Sequence, residues 1–473
     1  MVNASRNLRL QTLTDPYRPA YHFVVPEGYA VPADPNGAIY WNGRYHLGYI
    51  YQNHGVHYWG HVSSLDLLHW RHHPPSLYPT PDSPETGIFS GNCFINKQGE
   101  ATMLYHGCDV GNCIATSGDA QLDTWTKLSS NPIVPVAEDE KGRHLGKERL
   151  FASWDPHGWL ENDTYYAIFG GKRPAVFRAA ELDKWEYVGD LFAHAVEGVD
   201  INEDVSCPDF FRLGDKWVLL CISHKLGCRY YVGEWKDEQF YPKFHERMSW
   251  ADRTLFAPES LQGPQGRRIM WAWALDQPTL GRVRRTGGWS GTFSLPRELW
   301  LGEDNHLRMR PVQELEQLHH NERRWASTLI KPDTETVLNG VQGQLLDIEL
   351  ELQLFGTGRC GVKVCCSPDG EEETLIGYDA IEQKLIIDTR RSGHMGVQGI
   401  EGGPLSLSDN ETLRLRVLVD KSVVEAFAND RQGVLRRIYP SRSDSVGVKL
   451  FAEGSAARVR SVTIWNMMPS NPH

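Results

Sequence analysis

Acidic side chains recur in one kind of place along this chain. Asp34 lies in ADPNG, Asp155 in SWDPHG, and Glu203 with Asp204 in INEDVSCPDFF, just ahead of Asp209. Carboxyl groups supply acids, bases and nucleophiles for bond cleavage once a fold brings two of them together. A single Asp-Pro is also an ordinary turn, because Asp bonds its own backbone and Pro fixes φ. What sets these positions apart is that each precedes a stretch of the same design.

That stretch is a short apolar run, a turn of Asn, Gly or Asp, then an alternating aromatic and apolar run. It starts at Gly37, Cys93, His157, Phe210 and Ser260, and the turns WNGR, NKQGE, ENDT, LGDK and GPQG carry residues that tolerate positive φ. The starts are about 50 to 65 residues apart, more than one hairpin needs, so each unit has room for four strands. Five such units predict a five-bladed β-propeller, although hairpins alone do not separate it from an ordinary sandwich. In a propeller the innermost strands converge on an axial funnel, where acids distant in sequence could meet.

Past Arg310 the texture changes. Val312, Leu315 and Leu318 are apolar positions among charges and predict a short connecting helix. Strongly alternating segments follow, among them LLDIELELQL and TLRLRVLVD, and predict an antiparallel β-sandwich. The expected class is therefore all-β: a propeller over 1–315, a partly helical linker over 316–330 and a sandwich over 331–473.

Composition agrees. Trp 16, Tyr 18 and Phe 16 with 44 Gly and 27 Pro suit pleated sheets and tight turns. The formal charge of −11 and the lack of a basic block argue against a nucleic-acid partner, and no apolar run approaches a membrane span. The start, MVNASRNLRLQTLTD, has no apolar core of a secretory signal, so a cytoplasmic location is expected. The nine Cys are odd in number and show no zinc spacing; they read as small buried hydrophobes. The His pairs at His72-His73 and His319-His320 lack helical zinc spacing, and no phosphate loop, GxSxG elbow or redox motif occurs, so neither metal nor cofactor is expected.

The ordered blocks ADPNG, YWGHVSSLDLLHW, IFSGN, WDPH, SCPDFF and GWSGTFSLPREL, with VLVDKSVVEAFANDRQGVLRRIYP in the second unit, resemble the signature blocks of glycoside hydrolase family 32. That family comprises invertases, fructan hydrolases and fructosyltransferases. The resemblance implies a propeller joined to a sandwich and cleavage of β-fructofuranosidic bonds with retention, by hydrolysis or fructosyl transfer. Such chemistry needs two carboxyl groups about 5 to 5.5 Å apart, one attacking the anomeric carbon and one protonating the leaving oxygen. By motif position Asp34 would be the nucleophile and Asp155 the transition-state stabiliser. Gln52 and Ser90 would bind fructosyl hydroxyls. Independently of the family, aromatic rings stack on the apolar faces of sugars, so Trp59, Trp154, Trp271 and Trp273 are candidate platforms, with blade-core packing the alternative for Trp271 and Trp273. Asp204 would stand beside the sugar. The partner implied is a fructose-containing saccharide.

Three departures stand out. Val31, Pro32 and Ala33 replace the Trp and Asn that usually precede the nucleophile, and Trp154 replaces the Arg of Arg-Asp-Pro. Ser206 replaces the Glu that serves as acid/base, and a serine hydroxyl cannot protonate a departing alkoxide near neutral pH. Glu203 is the expected substitute, with Asp204 second. Its pKa would be raised by burial beside Asp34, giving an acidic optimum. The alternatives are a serine put in place of the acid, or a carbohydrate-binding relative that lost hydrolysis. A related glycosidase of arabinofuranosides is disfavoured by the C-terminal sandwich.

Overall fold

The computed structural model describes residues 14–136, 151, 153–251, 253–275 and 288–471. The opening residues 1–13, read above for a signal segment, lie outside the described residues. Alternation and turn chemistry build the blades directly. The first pairs β1 (Pro35–Trp41) with β2 (Arg44–Asn53), and the loop between them is Asn42 and Gly43, both with positive φ, the two-residue turn whose twist matches the strands. The strands β3 (Val56–Ser64) and β4 (Trp70–Leu77) complete a four-stranded sheet.

Four more sheets repeat the plan. Blade 2 holds β5 (Ile88–Ile95), β6 (Ala101–Gly107), β7 (Gly111–Ser117) and β8 (Thr126–Lys127), with the short β9 (Val134–Pro135) also paired to β7. Blade 3 holds β10 (Pro156–Glu161), β11 (Thr164–Phe169), β12 (Ala175–Ala179) and β13 (Glu186–Asp190). Blade 4 holds β14 (Ser206–Leu213), β15 (Lys216–Ser223), β16 (Gly227–Lys236) and β17 (Gln239–Arg247). Blade 5 holds β18 (Leu255–Gln262), β19 (Arg268–Ala274), β20 (Arg297–Leu301) and β21 (Leu307–Pro311). The first strands touch their neighbours around the ring, β1 against both β5 and β18, which closes the propeller. Aromatic cores fill the gaps between blades, such as Trp59 with Ile50, Met103 and Tyr105, or Phe210 with Trp159 and Phe240.

The expected connecting helix takes another form. Val312, Leu315 and Leu318 stand three apart, the repeat of a 3-10 helix, and Gln313–Leu318 is one such turn with Leu315 and Leu318 buried. The following residues are strands rather than linker: β22 (His319–Trp325) and β23 (Thr328–Ile330) both pair with β34 (Ala457–Met467) at the chain's end. A charged alternating run adjoining an unpaired edge gains ladder hydrogen bonds as a strand that a helix could not supply.

The sandwich stacks two antiparallel sheets. One runs β22, β34, β25 (Leu345–Leu354), β30 (Leu413–Asp420), β31 (Val423–Ala428), β32 (Gln432–Arg437). The other runs β24 (Thr334–Gln342), β33 (Gly447–Glu453), β26 (Arg359–Cys366), β27 (Thr374–Asp379), β28 (Lys384–Asp388), β29 (Ile400–Pro404). Along β25, Leu346, Ile348, Leu350 and Leu352 face the core while Glu349 and Glu351 face solvent. The sandwich is locked to the propeller by Glu425, fully buried, which bonds Arg297 at 2.7 Å, the Leu295 amide at 2.7 Å and His22 at 3.3 Å. All nine cysteines are free thiols. No helix among the described residues is long and apolar enough to cross a membrane.

Candidate active site

The first strands of the five blades begin at the same mouth of the axial channel, and the residues at or just before their starts meet there. Asp34 immediately precedes β1, Ser90 lies in β5, Asp155 immediately precedes β10, Ser206 and Cys207 open β14, and Phe256 lies in β18. A cavity of about 290 Å³ is lined by these residues together with Phe89, Trp154, His224 and Trp273. Four of the five first strands slip register near this end: between Asn36 and Ile39, Phe89 and Gly91, Ser206 and Asp209, and Phe256 and Glu259. Bulges bend the strand and re-aim its side chains, here into the mouth. Gly37, Cys207 and Ala257 take positive φ at three of them.

Asp34 is nearly buried. Its Oδ2 accepts a hydrogen bond from the Ser90 hydroxyl at 2.9 Å, while Oδ1 has no partner. The peptide is fixed from the other side: Asn36 donates its side-chain amide to the Asp34 carbonyl at 2.7 Å and accepts from the Gly91 amide at 3.0 Å, stapling β1 to β5. Asp155 Oδ2 accepts from the Cys207 amide at 2.9 Å. The Cys207 sulfur stands 3.8 Å from Asp34 Oδ2 and 3.6 Å from Asp155 Oδ2, so both carboxyl groups flank one thiol and face one cavity.

Burial, reinforced by the charge of Asp155, pushes Asp34 up to about 7. Burial also lifts Asp155 to about 6, against the Cys207 amide that favours its ionised form and with help from Asp204. Burial pushes the Cys207 thiol well up, so it stays protonated beside its two acids.

The other expected residues divide. Ser90 and Trp154 are brought to the cavity; the Trp154 ring lies 4.9 Å from His106 and 6.2 Å from Phe89. Trp59 and Trp271 are not. Trp59 is fully buried between blades and donates its indole N–H to the Phe89 carbonyl, and Trp271 packs edge-on against Trp70. Their bulk is taken by blade cores, whereas Trp273, two residues further along β19 and also a candidate, lines the cavity. Gln52 spends its amide on the Val31 carbonyl at 2.9 Å, bracing the loop that leads to Asp34 rather than lining the cavity.

Glu203 does not reach the site either. Its Oε1 accepts from the Ser223 hydroxyl, and it is absent from the cavity wall. The tight turn at Asp200, whose carbonyl accepts the Glu203 amide, points the side chain toward β15. Asp204 stands behind the wall, accepting from Ser206 Oγ at 2.9 Å and His224 Nδ1 at 2.6 Å. These bonds outweigh burial and hold it below the usual carboxylate range. His224, which sequence reasoning passed over, lines the cavity, and its bond to Asp204 raises it above the ordinary imidazole value. The only available signal was positional: it closes the second run of the fourth hairpin, as Gln52 closes the first.

Two further clusters offer chemistry on paper. A larger cavity of about 730 Å³ is lined by the far ends of the first strands and includes Asp209, Glu259 and Arg268. Its acids are committed: Glu259 accepts the Ala38 amide at 3.0 Å, Asp209 accepts from Ser260, and Arg268 faces both. His61, His73 and Asp123 are close enough to share a cation, but His61 Nε2 is bonded to His46 at 2.9 Å, and His73 is bonded to Ser63 at 2.7 Å and to Asp123 at 2.6 Å. His61 and His73 face each other across β3 and β4 of blade 1 with their rings stacked at 4.3 Å, and Asp123 reaches His73 from blade 2.

Comparison with known proteins agrees with this architecture. The family model for the glycosyl hydrolases family 32 N-terminal domain matches residues 22–311, and that for the family 32 C-terminal domain matches 314–466. The chain is 27% identical to sucrose-6-phosphate hydrolase of Zymomonas mobilis, over 99% of this chain and 96% of that protein. It is 30% identical to levanase of Bacillus subtilis, over 95% of this chain and 70% of that one. Its fold is similar to that of fructan 1-exohydrolase IIa from Cichorium intybus, with a TM-score of 0.85 at 22% identity, covering 97% and 98% of the two chains. With both halves matched and the two buried aspartates meeting at the mouth of the propeller, the chain belongs to glycosyl hydrolase family 32.

Proposed function

We propose that the protein is a retaining β-fructofuranosidase that removes a terminal fructosyl unit, with Asp34 as nucleophile and Asp155 as transition-state stabiliser. The observation that carries the reading is the unpartnered Oδ1 of Asp34, in a carboxyl group whose other oxygen is held by Ser90. One oxygen fixed and one free is what an attacking carboxylate needs. Ionised Asp155 stabilises the positive charge that grows on the ring as the bond breaks. Phe89, Trp154, Phe256 and Trp273 provide apolar walls for the sugar's carbon faces, and the small cavity suits one furanose at a chain end. The relatives matched along nearly the whole chain are named as hydrolases of fructosides, so the binding-only alternative is not favoured.

The test is release of fructose from sucrose, levan, inulin and difructose anhydrides, followed by chromatography. Wild-type protein is expected to release fructose from at least one, and Asp34→Ala to lose a factor of roughly 10³ or more. In rapidly quenched wild-type reactions, mass spectrometry should find one fructosyl unit esterified to the peptide containing Asp34. Release by Asp34→Ala at the wild-type rate would remove the nucleophile assignment.

A further inference from the structure

We propose that His224 is the acid that protonates the leaving oxygen, with Asp204 as its positioning residue. The inference rests on the hydrolase reading above and fills the role that Ser206 cannot.

Among the described residues lining the cavity, the side chains with an exchangeable proton or a carboxylate are Asp34, Asp155, Trp154, Ser206, Cys207, His224 and Trp273, along with Ser90. Asp34 attacks, and Asp155 has one oxygen on the Cys207 amide. The hydroxyls of Ser90 and Ser206 donate to Asp34 and Asp204, and the thiol and indoles are too weakly acidic. Glu203 is bonded away at Ser223.

Geometry then supports His224 positively. Its Nδ1 bonds Asp204 Oδ2 at 2.6 Å and its amide reaches the same oxygen at 3.2 Å, so ring and backbone are both anchored. Asp204 is itself held by Ser206 Oγ, and its carbonyl accepts from Arg229. Ser206 therefore orients the carboxylate that in turn orients the imidazole. With Nδ1 engaged, Nε2 is the nitrogen left to serve the cavity, and the imidazole is 69% exposed at the rim where a leaving group departs. A carboxylate fixing one ring nitrogen so that the other can transfer protons is the arrangement of the His-Asp half of a catalytic triad.

The charges facing His224 favour the imidazolium. Asp204, Asp155 and Asp34 all attract it, while Arg253 binds its backbone carbonyl and Cys207 remains a neutral thiol. In the first step an Asp34 oxygen bonds the anomeric carbon as the glycosidic C–O bond breaks. That bond's electron pair goes to the leaving oxygen, which takes the Nε2 proton. In the second step the neutral imidazole removes a proton from water as it attacks the same carbon, expelling the Asp34 carboxylate and restoring the imidazolium.

His224→Gln, Asp204→Asn and Glu203→Gln should be compared with wild type on sucrose and on 4-nitrophenyl β-fructofuranoside, whose leaving group needs no proton. His224→Gln is expected to lower kcat on sucrose by roughly 10² to 10⁴, while first-turnover nitrophenolate release stays within tenfold and the Asp34 ester accumulates. The wild-type kcat/KM profile should rise with ionisation of Asp34 and fall with deprotonation of His224. In Asp204→Asn the falling limb should move to lower pH and the rising limb should stay. Because His224 is exposed, an unchanged Tm checks that the fold is intact. Equal losses on both substrates, no loss on sucrose, or the same split in Glu203→Gln would overturn the assignment while leaving the nucleophile standing. A wild type inactive on both substrates with no ester at Asp34 would instead sink the hydrolase reading, and this proposal with it.

Discussion

Asp34 is a carboxyl group kept where it would rather be neutral. Its folded pKa, pushed up to about 7 from 3.8 by burial and by Asp155, means that folding opposes ionisation. The stability this group confers is complete below its unfolded value near 3.8 and drains away as pH climbs to about 7. Asp34→Asn has no proton to lose. The variant should therefore be more stable than wild type at pH 8 by about 2 to 4 kcal/mol and roughly equal near pH 4, while fructose release disappears. Urea unfolding of both proteins at the two pH values measures the difference, and an equal gap at both would contradict it. The energy spent on holding Asp34 ready is the usual cost of a reactive group, and it explains why a poised site and maximal stability do not coincide.

At the scale of elements, the blades supply direction and the bulges supply aim. Asn36 shows how a strand start is turned into a site: its side chain holds the Asp34 carbonyl and the Gly91 amide at once, across two blades. Asn36→Ala should leave buried groups unpaired, costing about 1 to 3 kcal/mol. It should also lower kcat by roughly 10- to 100-fold through misplacement of Asp34. Thermal unfolding together with sucrose kinetics would check this, and full activity with lowered Tm would assign Asn36 to stability alone. The hairpins themselves are plain in the sequence, because Asn42-Gly43 and its counterparts specify turns locally. The face each aromatic takes is not. Trp271 and Trp273 share a period-two face of β19, yet only the one nearer the strand's end meets the cavity. Gln52, expected as a sugar ligand, is a brace, since nothing in its neighbours records that Val31 passes 2.9 Å away.

Across the whole molecule, propeller and sandwich share a buried polar joint. Glu425 of β31 meets Arg297 of β20, with both side chains fully buried, and His22 of the entering chain completes the group through Asp420 at 2.9 Å. Removing one charge strands the other: Glu425→Gln should cost about 3 to 5 kcal/mol and lower the denaturant midpoint of both halves together. Separate transitions with an unshifted propeller midpoint would show that the joint does not couple them. Residue types and spacing determined the all-β class, the five repeats, the second unit and the candidacy of Asp34 and Asp155, because turn chemistry and alternation act between near neighbours in the chain. The tertiary structure alone decided that Glu203 turns to Ser223, that two tryptophans fill cores, and that His224 reaches the cavity on the arm of Asp204. Those outcomes depend on which side chains from different blades claim the same space and the same hydrogen-bond partners, and that competition is settled only when the ring has closed.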